Sequence, residues 1–139
     1  MCLGNADGIV TIDLKTSKKA WIRVWKVVSK GRYGGWFAPI QLIEYDNVIH
    51  NTGTNSFGKD AVHAFRTRES ARSYIVGGSS WRKTREYVVE AYVRPEWIIA
   101  AGNAGQWQTI SAEHMIVPLY PRKKLSARRV REIARQHGI

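Results

Sequence analysis

The residues of this sequence best suited to chemistry are one histidine and three arginines within ten positions. His63 lies in a strand-like run over residues 61–65, and Arg66, Arg68 and Arg72 follow it. Arg68 and Arg72 are four residues apart, so they share a face on a helix. Guanidinium groups brought together bind phosphate or carboxylate through paired hydrogen bonds, and the stretch therefore predicts an anion site. Three further cations would extend it: Arg82, Lys83 and Arg85.

His63 has a second interpretation that needs no ligand. Strand alternation puts its side chain opposite Val62 and Ala64 and on the same side as Phe65. A histidine in that position can be half-buried and hydrogen-bonded to a neighbouring side chain. The sequence does not decide between a histidine that lines a ligand pocket and one that is half-buried and hydrogen-bonded to a neighbour.

A second pattern combines aromatic rings with cations on one predicted strand. Residues 20–28 are rich in β-branched and aromatic side chains, and alternation puts Trp21, Arg23 and Trp25 on one face. Lysines flank them, and rings interleaved with cations form a platform on which nucleobases stack. The alternative is that a helix covers this face and buries both tryptophans, because large aromatic side chains are more often core residues.

Positive charge is concentrated at the end of the chain. The sequence holds 22 Lys and Arg against 11 Asp and Glu, a net charge of +11. Residues 122–139 carry seven basic residues and one acidic residue, so they supply +6 of that charge. Ser126 is a plausible N-cap for a helix through about Gln136. Its outward cations would be Arg128, Arg129, Arg131 and Arg135. Such a helix binds phosphates without sequence preference, or it only keeps the protein soluble.

Several classes of protein are disfavoured by composition. No apolar run reaches the roughly 18 residues that a membrane span needs, and the first residues lack the pattern of a signal peptide. Cys2 is the single cysteine, which excludes an internal disulfide, and the four histidines show no metal-ligand spacing. We therefore expect a cytoplasmic protein with no membrane partner, no metal and no cofactor.

The pattern of elements predicts an α+β fold. We expect an antiparallel or mixed sheet of about five to six strands, one central helix that Thr67 caps and that runs through about Val76, and a basic C-terminal helix. Residues 1–121 would form a single domain, and residues 122–139 would pack on it or extend from it. The predicted strands cover residues 9–14, 20–28, 36–45, 61–65, 86–93 and 109–120, with a helical turn at Pro95 and a turn at 102–105.

The stretch GKDAVHAFRTRESARSY at residues 58–74, with EYVVEAYVRPEWIIAAG at 86–102, resembles small uncharacterised accessory proteins of phages and their bacterial hosts. A G-x-HAF-x-T-x-E-x-A stretch there precedes a strand of the VVEAYV type. The resemblance covers under a third of the chain and brings no chemistry with it. It implies a protein, placed in the host cytosol if phage-encoded, that engages a host component. A host-defence antagonist such as an anti-CRISPR protein is one such case.

The same order of strand, T-x-E-x-A helix and VVE-type strand is similar to ADP-ribosyltransferase-like folds. If that resemblance holds, His63 would face the cofactor and Glu90 would be the acidic group of the site. The sequence shows no second nucleotide-binding motif before this segment.

Together these patterns favour binding over catalysis. The expected ligand is a polyanion: nucleic acid, a host ribonucleoprotein or a phosphorylated nucleotide. Two alternatives remain, an ADP-ribosyltransferase-like enzyme and a protein-interaction module that docks on an acidic partner surface with tryptophans as its main contacts.

Overall fold

The computed structural model describes residues 5–30, 36–37, 47–50, 62–78, 86–119 and 123–139. Within them lie three α-helices, which are α1 (Gly8–Lys15), α2 (Arg68–Gly78) and α3 (Ala127–Gln136), and a 3₁₀ turn at Pro95–Trp97. The strands are β1 (Asn5–Ala6), β2 (Ile22–Lys30), β3 (Trp36–Phe37), β4 (Val48–His50), β5 (Val62–Phe65), β6 (Glu86–Val93), β7 (Ile98–Ala104), β8 (Trp107–Ala112) and β9 (His114–Ile116).

The described strands form one antiparallel sheet, so the fold is α+β. Its order is β1-β7-β8-β5-β2-β6-β9-β4, and β3 adds to β2 beside this path. The longest ladder joins β2 and β6 over eight residue pairs, from Ile22 with Val93 to Ser29 with Glu86. These two strands are therefore the centre of the sheet, and the predicted boundaries of β6 are those of the structure.

The predicted count of five to six strands is too low, since the described residues contain nine. The segment that follows the 3₁₀ turn was missed as a strand, and the predicted turn at 102–105 lies mostly within β7. The long strand predicted over 109–120 is instead β8 and β9, separated by Glu113. Glu113 donates its backbone N–H to the oxygen of Trp97 at 2.8 Å, and that contact breaks the strand.

The strand predicted over residues 9–14 is wrong, because this segment is helix α1. The Asp7 carboxylate accepts the backbone N–H groups of Ile9 and Val10 at 3.0 and 3.1 Å, which caps the helix. Val10 and Leu14, four residues apart, pack against the main core. The cap and this spacing outweigh the strand preference of the β-branched residues in the segment.

The main core lies inside the curl of the sheet. It is built from the inward residues of the central strands, among them Val24, Ala91 and Ile110, together with Met115 and Ile116. Helix α3 closes it with three residues about 1% exposed: Val130, Ile133 and Ala134. The segment 122–139, predicted either to pack on the domain or to extend from it, thus shares the core of the domain through α3.

Helix α2 covers a second, smaller core on the other face of β2 and β5. Tyr74 packs between Phe65 and Trp107, with ring centroids 5.3 Å from each. Ser70 fixes the start of the helix, because its hydroxyl accepts the backbone N–H of Gln108 at 3.0 Å. Thr67, the predicted cap, accepts the N–H of Ser70 at 3.1 Å. The helix is therefore anchored on β8 at its first turn.

Candidate functional site

A cleft of about 600 Å³ lies where the end of α1 approaches the start of β2. Three aromatic residues line it: Trp21, Trp25 and Tyr92. Three cations also line it: Lys19, Arg23 and Arg66. Asp13 and Ser17 complete its polar lining from the α1 side. The predicted stacking pair thus lies in a concave site among cations.

The register of the sheet explains why these side chains meet. Arg23 pairs with Tyr92 across the β2–β6 ladder, while Trp25 pairs with Glu90 on one side and Phe65 on the other. Paired residues of an antiparallel sheet project on the same face, so these side chains lie together. Helix α1 is held against β7 by Thr11, whose hydroxyl accepts the N–H of Ala101 at 3.0 Å, and this places its end at the cleft.

Trp25 is half-buried between the cleft and the core under α2. The Arg23 guanidinium carbon lies 5.1 Å from its ring centroid, within cation–π range. The indole Nε1 is buried, and no acceptor for it lies among the described residues. A buried donor without an acceptor is uncommon in folded proteins.

Trp21 is held from two sides by side chains that follow β6. The Arg94 guanidinium carbon is 4.4 Å from the Trp21 ring centroid, and the Trp97 ring meets it edge-on at 5.5 Å and 72°. Arg94 also donates from Nη2 to the backbone oxygen of Ile139 at 3.4 Å. The ring is half-buried, as is that of Trp25. Neither tryptophan therefore has the full burial that the alternative interpretation of this strand required.

Glu90 lies beside the cleft and is shared by cations from two segments. Its carboxylate is 3.7 Å from the Arg23 guanidinium and 3.5 Å from the Lys124 ammonium, and it is only 14% exposed. The Tyr92 hydroxyl donates to it at 3.5 Å. Burial first, and then the Glu90 charge, raise the pKa of Tyr92. Glu90 therefore connects the cleft with the segment that leads into α3.

The predicted arginine cluster does not converge on one point. Arg66 is half-buried, and its guanidinium donates to the backbone oxygens of Thr109 and Gly102, both at 3.2 Å. Burial lowers its pKa. Arg68 and Arg72 are exposed on α2. Arg82, Lys83 and Arg85 lie outside the described residues.

His63 is half-buried, and its ring is hydrogen-bonded to a neighbouring side chain. Its Nδ1 is 2.8 Å from the hydroxyl of Ser111, which is itself buried. Burial, and then the charge of Lys26, lower the pKa of His63 to about 4. The Lys26 ammonium donates to the His63 backbone oxygen at 2.7 Å, and burial lowers the pKa of Lys26 to about 8. His63 is therefore neutral at pH 7.

The structure does not bring His63 and Glu90 into one site. By the register they share a face of the sheet, but β2 lies between their strands. Among the described residues, His63 contacts Ser111 and Lys26, whereas Glu90 contacts Arg23, Tyr92 and Lys124. The cleft is lined by neither residue.

Helix α3 separates an apolar face from a basic one. Ser126 caps it by accepting the N–H of Arg129 at 3.1 Å. Arg128 and Arg129 both pair with Glu132, at 3.2 and 3.4 Å. Its four arginines, Arg128, Arg129, Arg131 and Arg135, are all exposed.

Sequence reasoning missed Tyr92 and Asp13 as members of the site. Alternation along the predicted β6 strand already places Tyr92 on the side of Glu90. The register that sets Tyr92 opposite Arg23 could not be obtained from the sequence. Asp13 could not be assigned to the site from the sequence, because the pattern of residues 9–14 predicts a strand there and not helix α1.

The chain has no match among protein-family models, curated proteins or solved structures. The site must therefore be interpreted from its own geometry.

No group of three or more His, Cys, Asp or Glu side chains in the described ranges is arranged to hold a metal ion. No helix within those same ranges is long and apolar enough to cross a membrane.

Proposed function

We propose that this protein binds a polyanion, with nucleic acid the foremost candidate, and acts by binding rather than by catalysis. The observation that carries the proposal is the division of α3 into two faces. Its apolar residues are buried in the main core, and all four of its arginines remain exposed. The helix is therefore fixed to the domain in an orientation that presents its positive charge.

The exposed face of α3 carries more positive charge than its single glutamate can neutralise. Helix α3 has four arginines and one glutamate, a net charge of +3 over ten residues. Lys123 and Lys124 are exposed just before it. Phosphate contacts by exposed cations release counterions from nucleic acid, which makes binding strong at low salt and sequence-independent.

A host component is the context that the phage-like segment favours. A host ribonucleoprotein displays the same phosphate chemistry as free nucleic acid. Antagonism of a host-defence complex, as by an anti-CRISPR protein, is therefore a form of this proposal. The protein would then act in the host cytosol.

The test is a salt titration of binding to fluorescein-labelled RNA and DNA, single- and double-stranded, by anisotropy. For single strands, each phosphate contact contributes about 0.7 to the slope of log K against log salt. The double variant Arg131→Gln/Arg135→Gln should therefore reduce the slope by about 1.4 and weaken binding about tenfold at low salt.

The matched control is Lys15→Gln/Lys18→Gln, which removes the same charge from exposed positions away from α3. It should bind more tightly than the α3 variant and retain a steeper slope. No binding of any nucleic acid at 50 mM salt would refute the proposal, as would equal losses in the two variants.

A second candidate, a module that docks on a partner protein, is favoured by α1. Ile9 and Ile12 are 75% and 62% exposed on this helix, and apolar side chains at an interface supply much of its binding energy. Capture of a partner that survives nuclease treatment and is lost in Ile9→Ser/Ile12→Ser would support it. Capture that nuclease abolishes would exclude it. Among the described residues, the contacts of His63 with Ser111 and Lys26 and those of Glu90 with Arg23, Tyr92 and Lys124 do not support the transferase alternative.

A further inference from the structure

We propose that the cleft seats an unpaired nucleobase, so that the ligand is a single strand of RNA or DNA rather than a duplex. This inference rests on the proposed polyanion binding and specifies its substrate class. It is carried by the cleft and not by α3, so the two can fail separately.

The aromatic lining is the first support. Trp21, Trp25 and Tyr92 bring three ring systems into one cleft. Any base has a π face that stacks on an aromatic side chain, which makes such a surface tolerant of sequence. Bases within a duplex are already stacked on one another, so only an unpaired base can enter.

Arg23 supplies the second support. Its guanidinium lies over the Trp25 ring at 5.1 Å, where a stacked base would lie, and its side chain is 56% exposed. When it moves outward, it gives up the Trp25 ring and the 3.7 Å contact with Glu90, whose carboxylate keeps the Lys124 ammonium as a partner. When a base takes its place on the ring, Arg23 moves toward the phosphate, where Lys19 also lines the cleft.

The size and connections of the cleft favour a strand over a free nucleotide. A volume of about 600 Å³ lies within the range of small-ligand sites. Beside the cleft, Arg23 and the exposed Lys124 share the carboxylate of Glu90, which places Lys124 near the cleft at the approach to α3. Phosphates on either side of a seated base can therefore follow exposed cations out of the cleft.

The experiment compares four probes: a 12-nucleotide RNA, a DNA of the same sequence, the corresponding duplex and an equimolar mixture of mononucleotides. The test variant is Lys19→Ala/Arg23→Ala. Its control, Lys15→Ala/Lys18→Ala, removes the same charge from exposed residues of the same region that do not line the cleft. We expect the test variant to bind single strands at least tenfold more weakly than the control and to bind duplex equally well.

Trp25→Phe provides a second measurement that keeps an aromatic ring in the core and removes only the indole and its N–H. It should weaken single-strand binding about three- to tenfold and reduce the quenching of tryptophan fluorescence by the oligonucleotide. Its melting temperature, compared with that of the unsubstituted protein, shows whether folding is preserved.

Three outcomes would overturn the inference. If duplex binds as tightly as single strands, and the test and control variants bind single strands equally well, the cleft does not hold an unpaired base. Polyanion binding would then still stand. If mononucleotides bind as tightly as the 12-mer, the ligand is a free nucleotide. If no probe binds at low salt, the proposed function fails as well.

Discussion

At the residue scale, the junction of β2 and β5 depends on two titratable side chains held in unusual states. The Lys26 ammonium donates to the backbone oxygen of His63, and the His63 ring meets the Ser111 hydroxyl. β2 and β5 pair directly at Trp25 and Phe65. Side chains therefore join the strands beside that pair, and their protonation affects the stability of the sheet next to the cleft.

His63 should make the protein less stable in mild acid. Its pKa is lowered from 6.5 to about 4 in the folded chain, so the unfolded chain takes up a proton that the folded chain refuses. Stability is therefore lost as pH falls from 6.5 to about 4. The shift corresponds to at most about 3 kcal/mol, and solvent near the half-buried ring reduces this to about 2 kcal/mol. Urea denaturation across this range measures the loss.

The variant His63→Gln removes this titration and should flatten the pH dependence between 4 and 6.5. The matched control is His137→Gln, which makes the same substitution at an exposed position, and the pH profile of His63→Gln is compared with that of this control. Equal pH profiles for His63→Gln and the unsubstituted protein would show that His63 is not the residue responsible.

At the element scale, the start of α1 depends on one side chain. The Asp7 carboxylate accepts two backbone N–H groups, and the Asp7 N–H donates to the Ala101 oxygen at 2.8 Å. Loss of an N-cap side chain costs about 1 kcal/mol. We therefore expect Asp7→Ala to lower the free energy of unfolding by about this amount, measured by urea denaturation.

The control is Asp13→Ala, which removes the same charge from an exposed position of α1 that makes no cap. It should change stability by less than about 0.5 kcal/mol. If both variants lose the same stability, the effect comes from charge and not from capping.

Elements with strong local signals could be predicted from the sequence, but the pairing of strands within the sheet could not. β6 is rich in β-branched and aromatic residues and contains no Gly or Pro, and Ser126 and Thr67 cap helices with their own side chains. The segment of α1 has strand-like residues, and its helix depends on Asp7 and on packing of Val10 and Leu14 against a distant core. The cleft needed the β2–β6 register, which is a long-range pairing that no local pattern encodes.

At the scale of the whole molecule, helix α3 carries exposed positive charge on one face and part of the main core on the other. The net charge of +11 lies partly on α3, whose opposite face completes the main core. Removing residues 122–139 to test the role of their charge would also expose the core. Burial of an aliphatic side chain contributes about 1.5–3 kcal/mol, so losing Val130 and Ile133 alone costs a large part of the roughly 5–15 kcal/mol that holds a domain folded.

The two faces of α3 should therefore give opposite results in stability and binding. Ile133→Ala should destabilise the protein by about 2–5 kcal/mol, because it leaves a cavity beside the sheet. Arg131→Gln should change stability by less than about 0.5 kcal/mol and weaken nucleic-acid binding. Melting temperature and anisotropy measured on both variants make the comparison. An Arg131→Gln protein that melts as early as Ile133→Ala would mean that the basic face supports the fold, and the assignment of its charge to ligand binding would lose its basis.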